Sequence, residues 1–197
     1  MFTTCKPFIL ASASPRRQQF LHELGLEFTC LPANIEERAL PNEQAADFAC
    51  RMAKEKAEAL AKQYPNSWIL AADTVVVLDG QLIGKPEDSR HALTILRALQ
   101  NRSHQVVTGL ALFCQDKNFL QLLAEQSEVT FAAFPDEVLL AYIQTGEPLD
   151  KAGAYGIQGK GAFLVQQIHG SCSNVIGLPL STCVRLLLQQ KIIVSKS

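Results

Sequence analysis

Asp73 is the residue of this chain that most demands a chemical explanation. It stands inside the run Ile69-Leu70-Ala71-Ala72-Asp73-Thr74-Val75-Val76-Val77. A carboxylate within so apolar a strand is costly unless it is paired, hydrogen-bonded or bound to a metal. Metal ligation and proton acceptance from water are both within its chemistry. A structural alternative is that Asp73 ends one strand segment and accepts hydrogen bonds from a turn.

A second concentration lies at Phe8-Ile9-Leu10-Ala11-Ser12-Ala13-Ser14-Pro15-Arg16-Arg17. An apolar strand stops at two serines, and Pro15 suits the first position of a helix that Ser14 can cap. A helix N-terminus favours anions through its unpaired N–H groups and its dipole. With the Ser12 and Ser14 hydroxyls and the Arg16 and Arg17 guanidinium groups beside it, phosphate is the natural guest. The same residues also fit an ordinary capped surface helix with solvated arginines.

Three further places carry polar groups that a site could use. The pair Glu36-Glu37 suits Mg²⁺, which takes one or two carboxylates together with water and phosphate oxygens, although a solvated acidic loop has the same composition. Lys85 is held between Gly84 and Pro86 in a restricted turn, from which it can aim a point charge. In Asp150-Lys151-Ala152-Gly153-Ala154-Tyr155-Gly156-Ile157-Gln158-Gly159, small residues admit close backbone approach, and the Gln158 amide offers both a donor and an acceptor to a base edge. Tyr155 reads as a packed aromatic. Lys54 and Lys56 read from spacing as part of a helix's wet face.

The elements that must position these groups alternate. After the first strand a helix runs from Arg16 to Leu24 and stops at Gly25, and Phe28–Leu31 forms a short strand. Between Asn42 and Tyr64 apolar residues recur at helical spacing. Trp68–Leu78 is a strand, turned at Asp79-Gly80 into Gln81–Ile83. Asp88 caps a helix whose buried face is Ala92, Ile95, Leu96 and Leu99. Val106–Phe113 and Val129–Phe134 read as strands, then a helix runs from Pro135-Asp136 to about Thr145. Phe163–Val165 follows the glycine-rich passage, and Pro179 starts a last helix through Leu188. The order predicts a mixed α/β fold without fixing its topology.

Composition sets the frame. With 197 residues, 48% hydrophobic and 19% charged, the chain suits one globular domain or two small lobes. A net charge of −1 lacks the electrostatic footprint of a protein that grips long nucleic acid. The cysteines at 5, 30, 50, 114, 172 and 183 show no metal-like spacing and predict reduced thiols. No membrane-spanning run or secretory h-region is expected, which points to a cytoplasmic protein.

Taken together, the motifs resemble the Maf family of nucleoside triphosphate pyrophosphatases. The resemblance runs through Ser12-Ala13-Ser14-Pro15-Arg16-Arg17, Ile35-Glu36-Glu37, Lys54-Glu55-Lys56-Ala57, Ala72-Asp73-Thr74-Val75-Val76, Gly84-Lys85-Pro86, the Asp150–Gly159 passage and Asn174-Val175-Ile176-Gly177-Leu178-Pro179-Leu180. Asp73-Thr74 and Ile157-Gln158-Gly159 are similar to the subgroup acting on dTTP and UTP. The departures are small: Ala13 stands where glycine is frequent, and Ala71-Ala72 replaces the common Gly-Ala.

The resemblance implies a single domain over residues 1–197, with a long mixed twisted sheet, flanking helices and two lobes around a deep cleft. It implies that Asp73 is the catalytic proton acceptor and that Arg16, Thr74 and Gln158 choose the base. Ser12, Arg17, Lys56 and Lys85 are implied to hold phosphates, joined by Ser14 from the reading above. Glu37 and Asp73 are implied to hold a divalent cation, Mg²⁺ or Mn²⁺. Water would attack the α-phosphorus and pyrophosphate would leave. The implied setting is a cytoplasmic homodimer that limits non-standard nucleotides, in a family associated with division arrest. The alternatives are a 7-methyl-GTP pyrophosphatase and a non-catalytic nucleotide sensor acting on cell division through a partner.

Overall fold

Apolar runs broken by turn residues resolve into strands and helices in a computed structural model that describes residues 1–196. The chain forms β1 (Phe2–Thr4), β2 (Phe8–Leu10), α1 (Pro15–Glu23), β3 (Thr29–Cys30), α2 (Ala45–Ala61) and β4 (Trp68–Leu78). It continues through β5 (Gln81–Ile83), α3 (Ser89–Leu99), β6 (Ser103–Cys114), β7 (Phe119–Phe131) and α4 (Asp136–Gln144). Three short 3-10 turns at Glu147–Asp150, Ala152–Ala154 and Lys160–Leu164 lead to β8 (Val165–His169). Last come α5 (Cys172–Ile176), α6 (Leu180–Gln189) and β9 (Ile193–Ser195).

The main sheet is mixed, in the order β3-β2-β4-β6-β7-β8, with β5 paired to β4. β2 runs parallel to both β3 and β4, with Ile9 opposite Ile69 and Leu10 opposite Leu70. β5 and β8 are antiparallel to their neighbours β4 and β7. β1 and β9 make a separate antiparallel pair that sequence periodicity does not announce, because three residues are too few to show a period. The Asp79-Gly80 hairpin forms as expected, with φ of 52° and 77° at its two residues. β7 begins ten residues before the expected Val129, since its first half is only partly buried and carries Gln121, Glu125 and Gln126. Phe163 and Leu164 lie in a 3-10 turn rather than in a strand.

The chain divides into two compact units. The first comprises Met1–Asp73, Thr108–Glu125 and the segment from Gly177 onward; the second comprises Thr74–Val107 and Gln126–Ile176.

In the first unit, β4 presents alternate residues to two clusters, as a strand must. Leu70 and Ala72 join Leu10, Leu110, Leu112 and Leu186. Ile69 and Ala71 join Ile9, Ala111 and the α2 alanines Ala53, Ala57 and Ala61. These small side chains let α2 lie close on the sheet. At Gly109 the approach is closest, because a Cβ there would fall 2.2 Å from the Ala49 carbonyl carbon and 2.3 Å from its oxygen. In the second unit, Val76 and Leu78 of β4, the expected face of α3, Leu139, Tyr142 and Ile143 of α4, and Phe131 make a separate core. The Asp88 side chain caps α3 by accepting the His91 N–H at 2.7 Å.

Candidate active site

Strand parity explains where Asp73 points. It shares its face of β4 with Ile69 and Ala71, the face covered by α2. The residue that meets it is Lys56, which follows Met52 and Ala53 by one turn on the inward side of α2. The Lys56 Nζ donates to Asp73 Oδ1 at 2.6 Å and approaches Glu37 Oε1 at 2.5 Å. Lys56 and Asp73 are 8% and 7% exposed, so their half of this charge cluster is buried, while Glu37 is exposed. Such a cluster is poor evidence for stability, because desolvation offsets much of its Coulomb attraction. The wet-face reading fits Lys54, which pairs with Glu58 at 3.6 Å, but it fails for Lys56. An apolar helical stripe hides a lysine when the stripe is interrupted by a single charge that has a buried carboxylate to meet.

The first turn after β2 builds the second part. Ser12 is buried, and its Oγ accepts the Ser14 N–H at 3.1 Å and the Arg17 Nη1 at 3.3 Å. Arg17 Nε donates to the Gly177 carbonyl at 2.7 Å. Ser14 is the N-cap residue of α1, but its side chain makes no capping bond, contrary to expectation. Pro15 occupies the first helical position, and Ser12 Oγ takes the N–H of Ser14 itself. Burial lowers the Arg17 pKa from its ordinary value; the Asp73 charge works against this, Arg16 works with it, and Glu37 works against it. Arg17 thus senses both carboxylates that meet Lys56.

The loop bearing Glu37 is fastened by residues that motif reading missed. Arg51 on α2 donates through Nε and Nη2 to the two Glu43 oxygens, each at 2.6 Å, and through Nη2 to the Arg38 carbonyl at 2.9 Å. Glu43 also accepts the Leu40 N–H at 2.9 Å. The hydrogen bond from Arg51 holds the Glu43 carboxyl down at about 2. A fork-on-fork pair of this kind fixes geometry as well as charge.

Thr74, Lys85 and Gln158 all belong to the second unit. Thr74 is half-buried, whereas Lys85 and Gln158 are exposed. The Gly84 carbonyl accepts the Gly153 N–H at 3.0 Å, which ties the turn of Lys85 to the passage of Gln158. Gly153 has a φ of 70°, and a Cβ there would come within 2.8 Å of Val76 Cγ2. Tyr155 is packed as expected, 6% exposed, with its hydroxyl 2.7 Å from His104 Nε2 and its ring edge-on to Phe131.

Whether the acidic pair fits a divalent cation can be judged from the donors. Glu37 and Asp73 converge on one cationic point, now held by the Lys56 ammonium. Among the described residues no group of three or more His, Cys, Asp or Glu is placed to hold a metal. Two carboxylates completed by water and phosphate oxygens are a donor set that suits Mg²⁺. The residues therefore fit the group. Glu36 is exposed and makes no part of this convergence.

Comparison with known proteins bears on the whole chain. A family model described as Maf-like protein matches residues 7–190. The chain is 48% identical over 193 residues to the dTTP/UTP pyrophosphatase of Desulfotalea psychrophila, covering 98% of this chain and 99% of the relative. It is 46% identical to the dTTP/UTP pyrophosphatase of Myxococcus xanthus, covering 91% and 90%. The Staphylococcus aureus Ham1 protein shares the fold, with a TM-score of 0.55 at 15% identity over 94% of this chain and 100% of that one. Among the described residues no helix is long and apolar enough to cross a membrane.

Proposed function

Because the chain belongs to the Maf family, we propose that it is a nucleoside triphosphate pyrophosphatase that converts dTTP and UTP to the monophosphate and pyrophosphate. The observation that carries the reading is the convergence of the buried Asp73 and the exposed Glu37 on the buried Lys56, within electrostatic reach of Arg17. The pyrimidine choice is supported by full-length relatives bearing that name and by Thr74 and Gln158 at the positions linked to base choice.

In this reading Asp73 accepts a proton from the attacking water. The water oxygen bonds to the α-phosphorus, the bond from that phosphorus to the α–β bridging oxygen breaks, and pyrophosphate leaves with the electron pair. Lys56 fixes the Asp73 carboxylate by its 2.6 Å contact. A triphosphate repels an incoming nucleophile, and Arg17 and Lys85 offset that charge. Ser12 supplies a buried hydroxyl that already orients Arg17. A divalent cation on Glu37 and Asp73 would polarise the phosphoryl oxygens and stabilise developing charge. Arg16, Thr74 and Gln158 take base selection. The family resemblance supports a cytoplasmic homodimer using Mg²⁺ or Mn²⁺ as the working form.

The test is product analysis across UTP, dTTP, CTP and 7-methyl-GTP with Mg²⁺ or Mn²⁺ present. UTP and dTTP should give pyrophosphate with the highest kcat/KM. Orthophosphate as the first product, or preference for 7-methyl-GTP, would overturn the assignment.

A further inference from the structure

The Ile157-Gln158-Gly159 segment is fastened at both ends to one side chain that no motif singled out. Glu147 lies in the 3-10 turn after α4. Its Oε2 accepts the Lys160 N–H at 2.9 Å, and its Oε1 accepts the Gly161 N–H at 3.1 Å. Oε1 also accepts the Tyr142 hydroxyl at 3.1 Å. That hydroxyl in turn accepts the Gly156 N–H at 3.2 Å. One carboxylate therefore grips the segment directly behind Gly159 and, through Tyr142, directly ahead of Ile157.

The glycines are shaped to this grip. Gly159 has a φ of 109°, and a Cβ there would lie 2.8 Å from Glu147 Oε2. Gly161 leaves no room either, because a Cβ would fall 2.3 Å from the Tyr142 hydroxyl. The turn bearing Glu147 is itself tied by Lys151, whose Nζ donates to the Glu147 carbonyl at 2.5 Å and to Asp150 Oδ1 at 2.6 Å. Burial works to raise the carboxyl pKa, but the two backbone donors and the Tyr142 hydroxyl hold it below the ordinary value. Burial with the Glu147 charge raises that of the Tyr142 hydroxyl. The acceptor and the donor thus keep their roles across the neutral range.

Resting on the base-reading role proposed for Gln158, we propose that Glu147, acting through Tyr142, is a positioning residue for substrate selection. It sets the backbone from which Gln158 reads the base. It touches no substrate. A carboxylate is required because each oxygen must accept, whereas an amide has only one accepting oxygen.

The experiment is a double-mutant cycle on the UTP to CTP ratio of kcat/KM. Gln158→Ala alone should reduce that ratio about tenfold, the effect of one lost polar contact. Glu147→Gln should lower it by a similar factor in the native background and by no further factor when combined with Gln158→Ala. Tyr142→Phe, which leaves the carboxylate in place, should shift the ratio in the same direction by less and provides the reading if Glu147→Gln does not fold. A merely structural role would lower kcat/KM for UTP and CTP together and leave the ratio unchanged. If Gln158→Ala alters the ratio while Glu147→Gln and Tyr142→Phe do not, the positioning role is wrong and the base-reading role stands. If Gln158→Ala itself leaves the ratio unchanged, both fall.

Discussion

The charge balance at Lys56 gives the sharpest single-residue prediction. Its ammonium contacts the buried Asp73 at 2.6 Å and the exposed Glu37 at 2.5 Å. Removing Lys56 leaves the buried Asp73 charge without its partner, and breaking a buried pair costs about 3–5 kcal/mol. Lys56→Met should therefore lower both stability and kcat. Asp73→Asn keeps the shape but removes the basicity, so it should remain folded and lose at least about 100-fold in kcat, the lower range for general acid–base catalysis. Urea unfolding and steady-state turnover of UTP check the pair, and near-normal turnover in folded Asp73→Asn would refute its proposed role. Asp73 was legible as a residue needing a partner. The identity of that partner was not, because helical spacing gives Lys54 and Lys56 the same wet-face reading until the sheet beneath α2 is known.

At the scale of elements, α2 sets the distance from Lys56 to Asp73, and Gly109 sets the height of α2. The Cβ of an alanine at 109 would meet the Ala49 backbone at 2.2 Å, and backbone cannot swing aside as a flexible side chain can. Gly109→Ala should cost at least about 3 kcal/mol, the upper range for overpacking. It should also reduce kcat by lifting Lys56 from Asp73. Thermal unfolding and turnover measured together test this, and an alanine variant with native Tm would show that α2 has slack. The glycine was a readable signal, since glycine inside an apolar strand often marks a close backbone approach. Glu147 and Arg51 carried no such signal, because their importance lies in loop amides and carbonyls brought to them only by the fold. The central strand β4, the capped helix α3 and the Asp79-Gly80 turn were readable because period, cap and turn agree locally.

For the molecule as a whole, each unit has a core of its own, and the second hides a titratable group. His104 is 2% exposed, bonded to Tyr155 and edge-on to Phe131. Burial pushes its imidazolium down to about 4. The folded pKa lies below the unfolded one near 6.5, so between these values the unfolded chain binds more protons. Stability should therefore fall as pH drops from 6.5 toward 4, by at most about 1.4 kcal/mol per pH unit from this group. His104→Gln should flatten that slope in urea titrations between pH 7 and 4.5, and an equal slope in both proteins would remove His104 as the cause. The central claim, however, concerns which phosphorus the water attacks. Hydrolysis of UTP in ¹⁸O-labelled water locates the new bond directly. The label should be found in the uridine monophosphate, with unlabelled pyrophosphate as the other product; label in pyrophosphate, or in orthophosphate released first, would contradict the account.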